Sequence, residues 1–293
     1  MKKAVRLGFL LVALGFGAWV VASQWDAVVA GFAMLTWPMV AGSLVSVVVA
    51  LLAAMMTWRT LLADLGSPLP LRPAAKVFFV GQLGKYIPGA VWPVLAQMEM
   101  GKDLGVPRPR SATAFFLMMP IQLATGLLVT LVTLGWDRFG WALLFIPVLL
   151  VLLEPKVINA LIGFGLRRLR REPLERPLSR RGMLTALAWA LAGWGAYGVH
   201  LFLLAADMGA SGGLLFAIGA FALTWCLGIM TFVVPAGAGV REAAMVAVLS
   251  PVLDRGSAIA LALCSRMVII LADLICAAAA GAAARATVDR NPV

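Results

Sequence analysis

Charge is scarce in this chain: 13% of its 293 residues are Asp, Glu, Lys or Arg, against roughly 25% in an average soluble domain. Apolar residues make up 62%, and the mean hydropathy is +0.99. A soluble fold of this size cannot cover its surface with so few polar groups, so the chain is expected in a bilayer. Histidine is nearly missing. His200 is the only one, alone on an apolar stretch, and this argues against a histidine-built metal site or catalytic dyad. The three cysteines, Cys226, Cys264 and Cys276, lie in apolar segments without metal-ligand spacing. An odd count argues against a disulfide framework, so they are read as packing residues. No GxxxxGK[ST] loop is present, which leaves ATP without its usual phosphate cradle. Short segments of alternating polarity are also lacking, which excludes a β-barrel.

What remains is long apolar runs. Inside a bilayer every backbone N–H and C=O must be satisfied internally, so these runs are expected as helices. The fold class that follows is all-α: a polytopic helix bundle forming one transmembrane domain over residues 1–293. Leu7–Ser23, Val40–Leu62, Ala112–Leu134, Phe139–Leu153, Met183–Ala206 and Ser257–Ala284 are predicted as six full spans. Leu7–Ser23 follows Lys2, Lys3 and Arg6 but lacks a small-x-small cleavage pattern, so it is read as a retained span. Two further stretches are broken. Ala74–Met100 carries Gly81, Gly84, Lys85, Pro88, Gly89 and Pro93, and Leu214–Leu249 carries Pro235, Gly237 and Gly239 before Arg241 and Glu242.

The formal charge of +11 concentrates between the apolar runs. Its simplest reading is the positive-inside bias rather than nucleic-acid binding. If both broken stretches are re-entrant hairpins, only Arg138 and Arg255 among the loop basic residues face outward, and both termini lie in the cytoplasm. Residues 1–137 and 138–293 then read alike: span, span, hairpin, span. The hairpins open to opposite sides, which predicts an inverted-topology repeat with a site near the midplane. The basic stretch 155–182 is expected on the cytoplasmic face, with Lys156–Arg171 as an interfacial helix or a solvated loop.

Ionisable groups inside a membrane cost roughly 2.5–3.5 kcal/mol each, so they are functional candidates by default. Lys85, Glu99, Arg241, Glu242, Arg266 and Asp273 qualify. Arg241 and Glu242 follow a glycine-rich break and open a helix, whose free N–H groups favour anions. Gly237 and Gly239 permit close approach of a ligand. Arg266 and Asp273 lie seven residues apart, share a helix face, and are expected to point at Arg241 and Glu242. Lys85 and Tyr86 sit at the first break, beside Gly84, Pro88 and Gly89, where the ammonium can meet a headgroup. Glu99 lies nearer the hairpin base, where it can be wet.

Gln82–Trp92 (QLGKYIPGAVW) and Val234–Glu242 (VPAGAGVRE) resemble the two signature segments of the flippase-like membrane domain of lysylphosphatidylglycerol synthases. The resemblance covers essentially the whole chain. Lys85, Tyr86, Pro88, Gly89, Pro235, Gly237, Gly239, Arg241 and Glu242 match its motifs. It implies two re-entrant elements and the handling of a phospholipid or polyprenyl-phosphate carrier. In the bifunctional synthases a cytosolic aminoacyl-transfer domain follows; this sequence runs only to Val293, so that activity is not carried over.

The leading expectation is a flippase or scramblase for an anionic lipid in the cell (inner) membrane, working without a cofactor or metal. The alternatives are an accessory protein that positions a glycosyltransferase or lipid synthase, and a lipid-modifying transferase. The last lacks a convincing catalytic constellation.

Overall fold

The computed structural model describes residues 22, 25–87, 91–138, 144, 146–168, 176–230 and 239–288, and it is helical almost throughout them. The helices are α1 (Trp25–Ala33), α2 (Trp37–Asp64), α3 (Leu71–Gln82), α4 (Trp92–Lys102), α5 (Arg108–Arg138), α6 (Ile146–Leu152), α7 (Pro155–Arg168), α8 (Arg180–Asp207), α9 (Leu214–Met230), α10 (Val240–Leu249) and α11 (Arg255–Val288). No strand occurs among the described residues. Four stretches are long and apolar enough to cross a bilayer: Trp37–Asp64, Arg108–Leu134, Arg180–Asp207 and Arg255–Ala284. They contain four of the six expected spans. Leu7–Ser23 lies outside the described residues apart from Ala22, and α6 covers only Ile146–Leu152 of the expected Phe139–Leu153. The chain is an all-helical, multi-pass membrane protein. Its outward surface is apolar, with Val45, Val49, Leu184, Met267 and Leu274 exposed where lipid replaces water.

The frame is α2 against α8. Ser43 meets His200, Ser46 donates to the carbonyl of Ala196 (2.7 Å), and Gly193 abuts Ala50 and Ala53. Residue numbers rise on one helix as they fall on the other, so the pair is antiparallel. Small residues let the backbones approach without a hydrophobic drive from water. Both ends are tied. The Thr36 hydroxyl donates to Asp207 (2.9 Å), and at the far end Asp64 accepts from the Ser179 N–H (2.6 Å) and hydroxyl (2.7 Å). Ser179 in turn caps α8 by accepting from the Gly182 N–H (3.0 Å). A side chain at position 182 would strike the Asp64 carboxylate at 2.3 Å, which explains that glycine.

One end of the bundle gathers the basic residues. Arg110 donates to the Gly66 carbonyl (3.1 Å) and the Ser67 hydroxyl (2.8 Å), and Arg59 donates to the Leu69 carbonyl (2.8 Å). Asn159 of α7 exchanges two 2.9 Å bonds with Leu178. These contacts place the C-terminus of α2, the starts of α3, α5 and α8, and helix α7 together. Arg72, Arg167, Arg168, Arg176, Arg180 and Arg181 are exposed there.

Helix α9 runs antiparallel to both α8 and α5. Gly198 touches Ile218 on one side, while Gly219 touches Thr133 and Gly126 touches Cys226 on the other. Cys226, Cys264 and Cys276 are free and buried. Helix α1 packs at the start of α11, where Gly31 meets Ala260 and Ser257.

Candidate functional site

Two broken helices converge on α11. The first is α3, followed by a 3₁₀ turn at Leu83–Tyr86 and then α4. Gly84 lies against Pro93 and Gly81 against Gln97, so α4 folds back along α3. At both glycines an added Cβ would sit under 3 Å from its neighbour, and at Gly84 that neighbour is backbone. The glycines therefore set how closely the two arms can approach. The turn presents Lys85 and Tyr86 to one carboxylate. Lys85 Nζ stands 2.7 Å from Asp273 Oδ2, and the Tyr86 hydroxyl donates to the same oxygen at 2.5 Å. Asp273 is 4% exposed and Lys85 29%. Removing one partner of such a buried pair leaves an uncompensated charge.

The second is α9, with α10 returning along it: Gly228 of α9 approaches Arg241 at 3.3 Å from where its own Cβ would be. Gly239 begins the return with φ +84°, a left-handed conformation that suits glycine. Glu242 reaches back to accept the Gly239 N–H at 2.6 Å, the reciprocal half of a capping box. Its other oxygen faces Arg266 Nη1 at 3.4 Å. Arg241 turns inward instead. Its guanidinium lies over the Phe221 ring, 4.8 Å from the centroid. Nη2 is buried without a hydrogen-bond partner among the described residues. Arg241, Glu242, Met245, Ala262, Ser265 and Arg266 line a small cavity.

Arg266 and Asp273 do share a face of α11, as their spacing predicts, but they do not both turn to the second break. Asp273 lies about 10 Å further along the axis, at about 1.5 Å per residue. That places it level with the first turn, so each residue serves a different broken helix. Glu99 pairs with Arg108 at 2.6 Å on an exposed surface, as its position near the base implies. The hydrogen bond from Arg108 holds its carboxyl below the usual range. Pro88, Gly89, Pro235 and Gly237 lie outside the described residues.

Three features go beyond the sequence expectations. His200 is not alone: Ser43 Oγ lies 2.6 Å from Nδ1 and Ser265 Oγ 2.8 Å from Nε2. The ring thus bridges α2, α8 and α11, with one serine hydroxyl at each of its nitrogens. An aromatic ladder also leads to Arg241. Trp194 meets Tyr197 at 6.3 Å, and Tyr197 stacks on Phe221 at 4.5 Å. The spacing of three between Trp194, Tyr197 and His200 is the one available sequence signal, since it puts them near one helix face. Trp194 further borders an apolar groove of about 280 Å³ between α5, α8 and α9, lined also by Leu128, Val132, Leu191 and Ile218.

Residues 6–277 match the family model described as the lysylphosphatidylglycerol synthase TM region. The chain belongs to that family. No curated protein matches it closely enough to stand as a relative. Both broken helices and α11 as far as Ala277 fall inside the lysylphosphatidylglycerol synthase TM region, so the ionic contacts described above are made within the family domain.

Proposed function

We propose that this protein moves an anionic lipid, a phospholipid or a polyprenyl-phosphate carrier, between the leaflets of the cell membrane. The observation that carries the reading is Arg241: its Nη2 is buried without a hydrogen-bond partner among the described residues, and its guanidinium lies over the Phe221 ring where a broken helix meets α11. A buried cation is costly unless an anion reaches it, and arginine presents a fork of donors suited to phosphate. Lys85 holds a comparable place at the other break, behind Asp273. The apolar groove beside Trp194 offers tails a lateral path in contact with lipid.

The same reading includes a topology. Both termini are cytoplasmic, six helices span, and the two broken elements enter from opposite faces as halves of an inverted repeat. It is supported by the basic residues gathered at one end of the bundle. It is further supported by α3 starting at that end while α9 follows α8 from the other. Family membership lends weight to lipid handling.

The test is reconstitution into liposomes with headgroup-labelled lipids. Wild-type protein should exchange an anionic lipid between leaflets, and Arg241→Ala, expressed at equal level, should not. Equal exchange with and without protein, across phospholipids and polyprenyl phosphates, rejects transport. A second reading, docking of a glycosyltransferase or lipid synthase, is favoured by the exposed arginines 167, 168, 176, 180 and 181. Loss of the cellular phenotype on neutralising those, with Arg241→Ala silent, selects docking instead.

A further inference from the structure

We infer that the headgroup site is matched to a single negative charge, that of one phosphodiester, and discriminates against lipids carrying more. The inference rests on the transport reading for its setting and on charge pairing for its content. Five charged side chains meet where the broken helices reach α11. Four are paired: Lys85 with Asp273 at 2.7 Å, and Arg266 with Glu242 at 3.4 Å. The fifth, Arg241, keeps a buried Nη2 without a partner among the described residues. Its neighbour is the Phe221 ring at 4.8 Å, which attracts a cation through its quadrupole but brings no countercharge. The two breaks add nothing to the account, because residues 88–90 (Pro, Gly, Ala) and 231–238 (Thr, Phe, Val, Val, Pro, Ala, Gly, Ala) hold no ionisable side chain. The centre therefore carries one uncompensated positive charge, and that charge sits beside the cavity lined by Arg241, Glu242 and Arg266.

One phosphodiester closes this account. A phosphate monoester carries about −1.5 to −2 near pH 7, and a diphosphate carries more. Such a headgroup would leave excess negative charge in a poorly solvated centre, unless it pulled Lys85 from Asp273 or Arg266 from Glu242. The specificity is thus set by the two acids. Each holds one cation back, and removing an acid releases that cation for a second anionic charge. Asp273 is the cleaner choice, because Glu242 also caps α10 through the Gly239 N–H.

The experiment compares wild type with Asp273→Asn in proteoliposomes, using labelled phosphatidylglycerol, polyprenyl phosphate and polyprenyl diphosphate. Thermal shifts of the purified full chain with short-chain forms of the same lipids run in parallel, with dimethyl phosphate as the soluble phosphodiester. Wild type should prefer the phosphodiester lipid over the diphosphate by roughly tenfold, about the worth of one charge-assisted hydrogen bond. Asp273→Asn should narrow or invert that ratio. Preference in the thermal shifts without any exchange in liposomes sinks transport but sustains charge matching. Exchange without preference sinks charge matching and leaves transport standing. An equal shift with dimethyl phosphate, at equal concentration, assigns the site to a soluble anion and overturns the lipid inference. If Asp273→Asn does not fold, Arg241→Gln decides. It removes the unpaired charge, so the phosphodiester shift should vanish, and a retained shift overturns the proposal.

Discussion

The pair formed by Lys85 and Asp273 allows a quantitative test, because its partners differ in burial. Lys85→Met leaves the Asp273 carboxylate, 4% exposed, with the Tyr86 hydroxyl still donating to it. Breaking a buried pair costs about 3–5 kcal/mol, and the surviving hydrogen bond places this variant near the lower end, about 3 kcal/mol. Asp273→Leu leaves Lys85, 29% exposed, with a flexible stem that can carry its ammonium towards water. Solvent screening reduces that cost, so about 1–2 kcal/mol is expected. Replacing both with apolar groups removes the charge and its partner together, which is near neutral in other buried pairs. The double variant Lys85→Met/Asp273→Leu should therefore be more stable than Lys85→Met alone. Reversible denaturation in mixed micelles measures all four proteins. If the single effects add in the double variant to within about 0.5 kcal/mol, or Asp273→Leu proves the costlier single change, the burial argument is wrong.

Other outcomes follow from neighbouring features. Tyr86→Phe removes a bond to a charged acceptor and should cost about 1.5–3 kcal/mol in the same titration. A side chain at Gly198 would sit 2.1 Å from Ile218 Cγ1 and 2.6 Å from Ile218 Cα. Gly198→Val should therefore lower stability by about 1–3 kcal/mol, whereas Gly195→Ala, with nothing within 4 Å, should be neutral in the same melting assay. Asp254 accepts the Gly256 (2.9 Å) and Ser257 (3.0 Å) N–H groups ahead of α11. Hydrogen bonding from Ser257, its side chain first, holds the carboxyl below its ordinary value of 3.8. A depressed carboxyl contributes stability that is fully present above the unfolded value and lost as pH falls through the folded one. Stability measured below pH ~4 should thus fall less steeply in Asp254→Asn, since Asn caps a helix about as well but does not titrate.

Much of this arrangement was legible because a bilayer makes composition decisive. The four long spans announce themselves by length and apolarity, and the two breaks by proline and glycine inside apolar runs. The spacing of Arg266 and Asp273 correctly gave a shared face. It could not give their partners, because those depend on how deep each broken helix reaches along α11. Seven residues on one helix decide between Tyr86 and Glu242, and no local pattern encodes depth. His200 was opaque for a related reason. Its two serines lie 157 and 65 residues away, so an isolated polar residue and a bridged one read alike in sequence. Arg241 was legible as a candidate, yet the sequence does not show that Glu242 faces Arg266 and leaves Arg241 Nη2 without a hydrogen-bond partner among the described residues.

The fastening of α2 to α8 at both ends bears on what can move. Asp207 holds Thr36 at one extremity and Asp64 holds Ser179 at the other, with Ser46 and His200 engaged between them. Sliding by one turn would break all of these contacts at once, so the pair serves as a fixed datum for the molecule. On the proposed transport reading, the displacements that carry a headgroup fall to the broken helices, measured against this stationary spine.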